Sequence, residues 1–220
     1  MENVNLELEN QKIISINQKT TFKEVVDEYY MDKDVILCEL DGDYYELGMK
    51  VPASGKLRVI SVNSEVGWKV YSRTLQFIFI KVALDIFKDA KITMEHSISK
   101  GIFGEIHKKD HLTVKEVKLI KEKMTELINR DVEIKKISVD KEKAIKIFKD
   151  YGMEDKVLLL KQMDFNKVSL YELEGRYDYF YGNMGYSTGI IKAFDVIKYA
   201  HGFVLRNPKE TDITRLHDFK

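Results

Sequence analysis

Over the first sixty residues, apolar positions alternate with polar ones at a period of two, and one stretch switches to a period near 3.6. Val4, Leu6 and Leu8 point one way, Ile14 and Ile16 repeat the pattern after a turn, and Val35 to Leu40 is a third extended run. Between them Phe22, Val25, Val26 and Tyr29 form a helical stripe. Thr21 and Glu24 stand at capping-box spacing before it, and Asp32 to Asp34 supplies the stop. Asp41-Gly42-Asp43 predicts a hairpin turn, because glycine takes positive φ at little cost, and Lys56 to Val62 closes the sheet. The pattern is that of a small β-grasp domain over residues 1–62.

From residue 63 the periodicity mixes helices and strands. Arg73 to Phe87 is apolar nearly all round, as a helix buried between layers requires. Thr113 and Glu116 form a second capping box ahead of Val117, Ile120, Met124, Leu127 and Ile128, which predicts a helix through Asn129. A third helix is expected from about Asp140 to Tyr151, stopping at Gly152. Strands are expected at Lys91 to Glu95, Val132 to Val139, Val157 to Met163, Val168 to Leu173, Tyr177 to Tyr181 and Phe203 to Arg206. An α+β domain with a largely antiparallel sheet over 63–207 is the simplest assembly. The polar tail after Pro208 reads as a linker over 208–220.

Charge sharpens this division. Thirty-six basic residues cancel thirty-six acidic ones in the whole chain. Met1 to Val62 nevertheless holds seven Lys and Arg against twelve Asp and Glu, and the remainder twenty-nine against twenty-four. An acidic module therefore precedes a basic one. Overall neutrality argues against a surface devoted to nucleic acid or anionic lipid. Cys38, the single cysteine, allows no intrachain disulfide and is expected in the core of a reduced, cytoplasmic protein. No apolar run approaches the ~18 residues of a membrane span, since Gln76, Lys81 and Asp85 interrupt Leu75 to Phe87.

Few motifs carry chemistry on their own. Gly55-Lys56 resembles the end of a phosphate-binding loop, but Leu57 stands where Ser or Thr would bind Mg²⁺ and no glycine lies five residues earlier. Glycines 182, 185 and 189 serve a turn. His107 and His111 read as loop residues ahead of the Thr113 cap, and His201 and His217 as isolated. His96 stands out because Glu95, Ser97, Ser99 and Lys100 crowd around it. Lysines 115, 118, 121 and 123 alternate with Glu116, Glu122 and Glu126 as a solvated helix face. Tyr177, Tyr179 and Tyr181 would share one strand face, with Phe180 on the other.

Two blocks of sequence carry a resemblance. Tyr71-Ser72-Arg73-Thr74-Leu75 with Glu95-His96-Ser97-Ile98-Ser99-Lys100-Gly101 is the first. The second runs from Tyr181-Gly182 through Ser187-Thr188-Gly189 to Lys192-Ala193-Phe194, with His201 to Pro208 following. Together they resemble the N-terminal region of threonyl-tRNA synthetase, an ubiquitin-like TGS β-grasp domain followed by an editing-like α+β domain. The nearer resemblance is to the version of that pair at the front of bacterial uridine kinase-like proteins.

The resemblance implies a non-catalytic regulatory or ligand-binding region, with ATP and Mg²⁺ belonging to a C-terminal P-loop kinase domain beyond residue 220. The alternative it implies is an aminoacyl-tRNA editing-type hydrolase or RNA-binding factor, with His96 as base. The editing family's ligand positions fall on Phe77, Lys81, Phe180 and Met184, a set that implies no metal site and no cofactor in this chain. What survives is a cleft with Arg73, Lys81, Glu95, His96, Ser99, Lys100 and Tyr181, expected to take a small anion or a nucleotide. The competing expectation for buried Lys81 is a pair with an internal carboxylate such as Glu95. RNA is a second candidate partner, and no membrane association is expected.

Overall fold

A computed structural model of the chain describes residues 3–31 and 34–218. Asp32, part of the expected stop of the first helix, lies outside them. The fold is α+β, with five α-helices and sheets in which, among the described pairings, only one is parallel. Backbone contacts divide it into two compact units, one made of the residues up to Val132 with those from Asn183 onward, the other of Glu133–Gly182.

The first unit opens with a five-stranded sheet. Strands β1 (Asn3–Glu7) and β2 (Ile13–Asn17) form a hairpin, and α1 (Phe22–Tyr29) follows under the expected capping box. β3 (Val35–Leu40), β4 (Asp43–Glu46) and β5 (Gly55–Ser61) complete the order β2-β1-β5-β3-β4, with β5 parallel to β1. The Asp41-Gly42 turn has φ of 50° and 98°, the left-handed pair that a two-residue hairpin requires. Val4, Leu6, Leu8, Phe22 and Val25 pack with Cys38 in one core. Cys38 is fully buried, and burial, with Glu9 nearby, pushes its thiol up to about 12.

The helix α2 (Glu65–Ile86) reaches back to the first sheet through β3 and β5. Most of its residues from Val70 to Ala83 are buried, as its sequence predicts, while Glu65, Lys69 and Asp85 reach solvent. β6 (Lys91–Ile98) and β7 (Gly101–His107) form a hairpin, and α3 (Val114–Asn129) carries the second capping box. Lys118–Glu122 and Lys123–Glu126 pairs line its solvent face, whereas Lys121 instead meets Asp195 at 2.8 Å.

In the second unit, β8 (Lys135–Asp140), α4 (Lys141–Asp150), α5 (Glu154–Gln162), β9 (Lys167–Leu173) and β10 (Arg176–Asp178) build a three-stranded sheet under two helices. α4 ends in a Schellman motif, with the Gly152 and Met153 N–H groups donating to the Lys149 and Phe148 carbonyls. Two expectations fail here. Residues 157–163 are helical: Glu154 and Asp155 suit the positive end of a helix, and Val157 and Leu160, three apart, are the buried pair, leaving Leu158 57% exposed. The strand expected to reach Tyr181 ends at Asp178, whose buried carboxylate meets Lys156 and accepts a hydrogen bond from the Tyr179 N–H.

The chain then returns to the first unit. β11 (Asp195–Tyr199) and β12 (Gly202–Arg206) join the hairpin in the order β11-β12-β7-β6, and the Phe79 and Phe203 rings lie 4.2 Å apart where α2 meets this sheet. Residues 208–216, expected as a polar linker, form the short pair β13 (Pro208–Lys209) and β14 (Asp212–Leu216), because Ile213 buries its side chain and Arg206 donates to the His217 carbonyl. Among the described residues, no helix is long and apolar enough to cross a membrane.

Gly67 marks where α2 and the first sheet come closest, since a Cβ there would stand 2.1 Å from the Ser61 carbonyl oxygen. Gly67→Ala sets a helix-propensity gain of about 1 kcal/mol against overpacking on rigid backbone of roughly 1–3 kcal/mol or more. The expected result is a net loss of stability, seen as a lower urea midpoint. A midpoint at or above that of the wild type would show that the contact is not tight.

Candidate functional site

The structure disperses the cleft expected from the sequence. Arg73, on α2, donates to the carbonyl of Asn183. Lys81, 6% exposed, meets Asp85 one turn further along the same helix, so the carboxylate answering this buried ammonium is Asp85 where Glu95 was the expected partner. Glu95 and His96 sit at a β-bulge in β6, mostly exposed, 3.8 Å from one another. Ser99 and Lys100 are the two turn residues of the β6–β7 hairpin, at φ of 45° and 64°. Tyr181 belongs to the second unit and is 90% exposed.

Of the residues that the resemblance places at the family's metal-ligand positions, Phe77 and Met184 are buried and Phe180 receives the Lys156 ammonium over its ring. Among the described residues, no three His, Cys, Asp or Glu side chains are set to hold a metal ion. Two histidines also move from their expected roles. His107 ends β7 instead of lying in a loop, and His201 brings Nε2 to 2.7 Å from Glu105, ninety-six residues away.

What the fold does build is the segment 183–193, the second of the two motif blocks. Almost none of it is regular structure, apart from one short 3-10 turn at Thr188–Ile190, yet much of it is buried. Its polar backbone must therefore find partners inside the protein. Buried Glu46 accepts from the Met184 N–H at 2.9 Å, and buried Thr74 from the Gly185 N–H at 2.9 Å. Asp131 accepts from the Ser187 hydroxyl and, at 2.9 Å, from the Gly189 N–H. A Cβ at Gly189 would fall 2.3 Å from that carboxylate, so only glycine lets the two approach. The Thr188 hydroxyl donates to the Leu127 carbonyl and accepts from the Val132 N–H, both at 2.9 Å. The Tyr71 phenol donates to the Ala193 carbonyl and accepts from the Lys192 and Ala193 N–H groups.

Beside this segment lies a cavity of about 690 Å³. Its polar wall is Lys23, Asp27, Asp131 and Lys192, with the Tyr186 ring 5.7 Å from the Lys23 ammonium, and apolar residues including Val26 and Ile190 complete it. Lys23 is paired with Asp27 at 2.6 Å, and Lys192 donates to the Gly189 carbonyl at 2.9 Å. The wall thus offers an aromatic face flanked by cations and carboxylates, a combination suited to a polar ligand of nucleotide size. Sequence reading missed the cavity because Lys23 and Lys192 lie far apart in the chain, and the motif block that contains Lys192 carries no sign of what that block packs against.

Burial pushes the Tyr71 phenol up to about 12, against the lowering effect of the two N–H donors. An unfolded tyrosine ionises near pH 10. The unfolded chain therefore loses its proton first, so the Tyr71 contribution is intact below pH 10 and is lost as pH rises toward 12, by on the order of 2 kcal/mol. Cys38 acts in the same direction from pH 9 upward. Tyr71→Phe is expected to cost about 1–3 kcal/mol at pH 7 by stranding the loop N–H groups, and to flatten the alkaline decline. Urea titrations of both proteins at pH 7 and pH 11 check both effects, and an unchanged pH 7 midpoint would mean that the phenol does not hold the loop.

No protein-family model matches the chain. Similar proteins are threonine–tRNA ligases. A probable cytoplasmic one of Encephalitozoon cuniculi is 23% identical over 213 residues, covering 96% of this chain and 33% of the ligase. That of Caldanaerobacter subterraneus is 25% identical over 186 residues, 84% of this chain and 29% of the ligase, and that of Ehrlichia chaffeensis 21% over 217 residues, 97% and 34%. The chain spans about a third of the length of the curated relatives it matches, and over that third it is homologous to threonine–tRNA ligase.

Proposed function

We propose that this chain is an editing-type module related to threonyl-tRNA synthetase, which receives the acceptor end of an aminoacyl-tRNA and hydrolyses its ester. The observation that carries the proposal is the reach of the similarity: it runs through both sheets of the first unit and through the second unit, and every relative named above is a threonine–tRNA ligase. It takes the place of the nucleoside-kinase front end as the leading reading. In this assignment the five-stranded sheet is the TGS-type β-grasp portion, consistent with its strand order. The cavity beside residues 183–193 supplies what a nucleotide of the acceptor end needs, with Tyr186 to stack on a base and Lys23 and Lys192 near phosphate. The resemblance places Phe77, Lys81, Phe180 and Met184 at the family's metal-ligand positions, so the hydrolysis proposed is metal-independent.

The test uses the whole chain with threonine-specific tRNA, uncharged, charged with threonine, and charged with a mismatched amino acid of similar size. Binding is expected to weaken about tenfold between 50 and 200 mM salt, as two phosphate contacts dictate, and Lys23→Ala with Lys192→Ala is expected to remove most of that slope. Mischarged tRNA is expected to deacylate faster than the correctly charged one. His96→Ala asks whether that exposed imidazole is the base, and a retained rate would assign the chemistry elsewhere. Absence of tRNA binding at 50 mM salt would sink the proposal.

A further inference from the structure

The outer face of the second sheet gathers side chains that the sequence keeps apart. Thr93 on β6 lies directly opposite Glu105 on β7, and His107 follows Glu105 on the same face at i,i+2. The Thr93 hydroxyl is 3.0 Å from His107 Nε2. His107 Nδ1 is 3.7 Å from Glu105 Oε2, and His201 Nε2 holds the other carboxylate oxygen at 2.7 Å. Glu105 is largely sheltered, with 22% of its side chain exposed, whereas His107, at 48%, faces solvent. Next to this group the buried Phe103 ring forms an apolar floor, with the rings of His96, Tyr199 and His201 around it at 5.3, 6.1 and 5.5 Å.

We propose that Thr93, His107 and Glu105 form a hydroxyl–imidazole–carboxylate relay that hydrolyses small carboxylic esters, with His201 positioning the carboxylate. The roles follow from the order of contacts. An imidazole that accepts a hydroxyl proton at Nε2 carries its own proton on Nδ1, the side that faces Glu105, and a carboxylate there stabilises the imidazolium as it forms. Separations somewhat longer than a hydrogen bond are usual before a substrate is bound. Thr93 Oγ1 bonds to the ester carbonyl carbon while its proton passes to His107 Nε2. Collapse of the tetrahedral intermediate breaks the bond to the alcohol oxygen, which departs with that proton. Water then gives a proton to the same Nε2 as it attacks the acyl carbon, the acyl–Oγ1 bond breaks, the carboxylic acid leaves, and the proton on Nε2 returns to Thr93 Oγ1. The Phe103 floor and its rings suit an alcohol that carries a planar group, such as a nucleoside.

This assignment rests on the tRNA reading for the identity of the natural ester, but its chemistry is testable without RNA. The whole chain is assayed with p-nitrophenyl acetate and separately with aminoacyl-tRNA, and quenched samples are searched by mass spectrometry for an acyl group on Thr93. Wild type is expected to hydrolyse the small ester with saturation. Thr93→Val, His107→Gln and Glu105→Gln are each expected to lose at least tenfold in rate with unchanged near-ultraviolet circular dichroism, and Thr93→Ser to retain the rate. A merely structural hydrogen bond would not give that Ser-against-Val split or a labelled Thr93. A Thr93→Val rate equal to wild type, an acyl label confined to other residues, or no saturable rate in wild type overturns the relay. Thr93-dependent hydrolysis of the small ester without tRNA binding would uphold the relay and remove the tRNA reading.

Discussion

Buried backbone that is neither helix nor strand has to find its hydrogen-bond partners in side chains, and residues 183–193 make this demand on the whole first unit. Four parts of the chain answer it. Glu46 comes from β4, Tyr71, Arg73 and Thr74 from α2, and Asp131 from the turn after α3, while Leu127 and Val132 contribute main-chain groups. Each partner is effective because its own surroundings fix it. Thr74 is fully buried, and its hydroxyl also donates to the Val70 carbonyl, so its acceptor lone pair has one direction to point. This explains why the central helix carries Tyr71, Arg73 and Thr74. They are the sockets of the returning segment, and the cavity wall that includes Tyr186 and Lys192 stands on them.

The local signals were the readable ones. Both capping boxes, the Asp41-Gly42 turn and the Gly152 stop involve residues within a few positions of each other, and each was legible because its energetics are equally local. The error over 157–163 came from reading an apolar run as a strand when two of its leucines face water. β7 was passed over because Gly101 and Gly104 weaken the strand signal. Both glycines are there for contact across the sheet: a Cβ on Gly104 would meet the Thr93 carbonyl at 2.5 Å, and one on Gly101 the Leu205 carbonyl at 2.8 Å.

Site residues were harder to read, since function here depends on pairs that only the fold creates. The candidate cleft drew on one helix and one hairpin and assumed that they faced each other. Lys81 shows the weakness of that step. A buried lysine needs a carboxylate, and the helix supplies one at i+4 without any cleft. Arg73, expected in the cleft, holds the Asn183 carbonyl. His201 and Glu105 carry no signal at ninety-six positions apart, and the sheet order β11-β12-β7-β6 is what brings them together.

The two proposals assign binding and chemistry to different sets of residues in the first unit. The cavity wall has its lysines already answered, Lys23 by Asp27 and Lys192 by a carbonyl, and it contains no hydroxyl–imidazole contact. Such a wall can hold a ligand without reacting with it. The sheet face has a different character: a hydroxyl, two imidazoles and a carboxylate in sequence, beside an apolar ring. A long polymer ligand reconciles the two, because it can be gripped at one place and presented at another, whereas a free nucleotide has only one end to place. In the proposed assignment, that asymmetry is the reason for choosing an aminoacyl-tRNA over a small regulatory nucleotide.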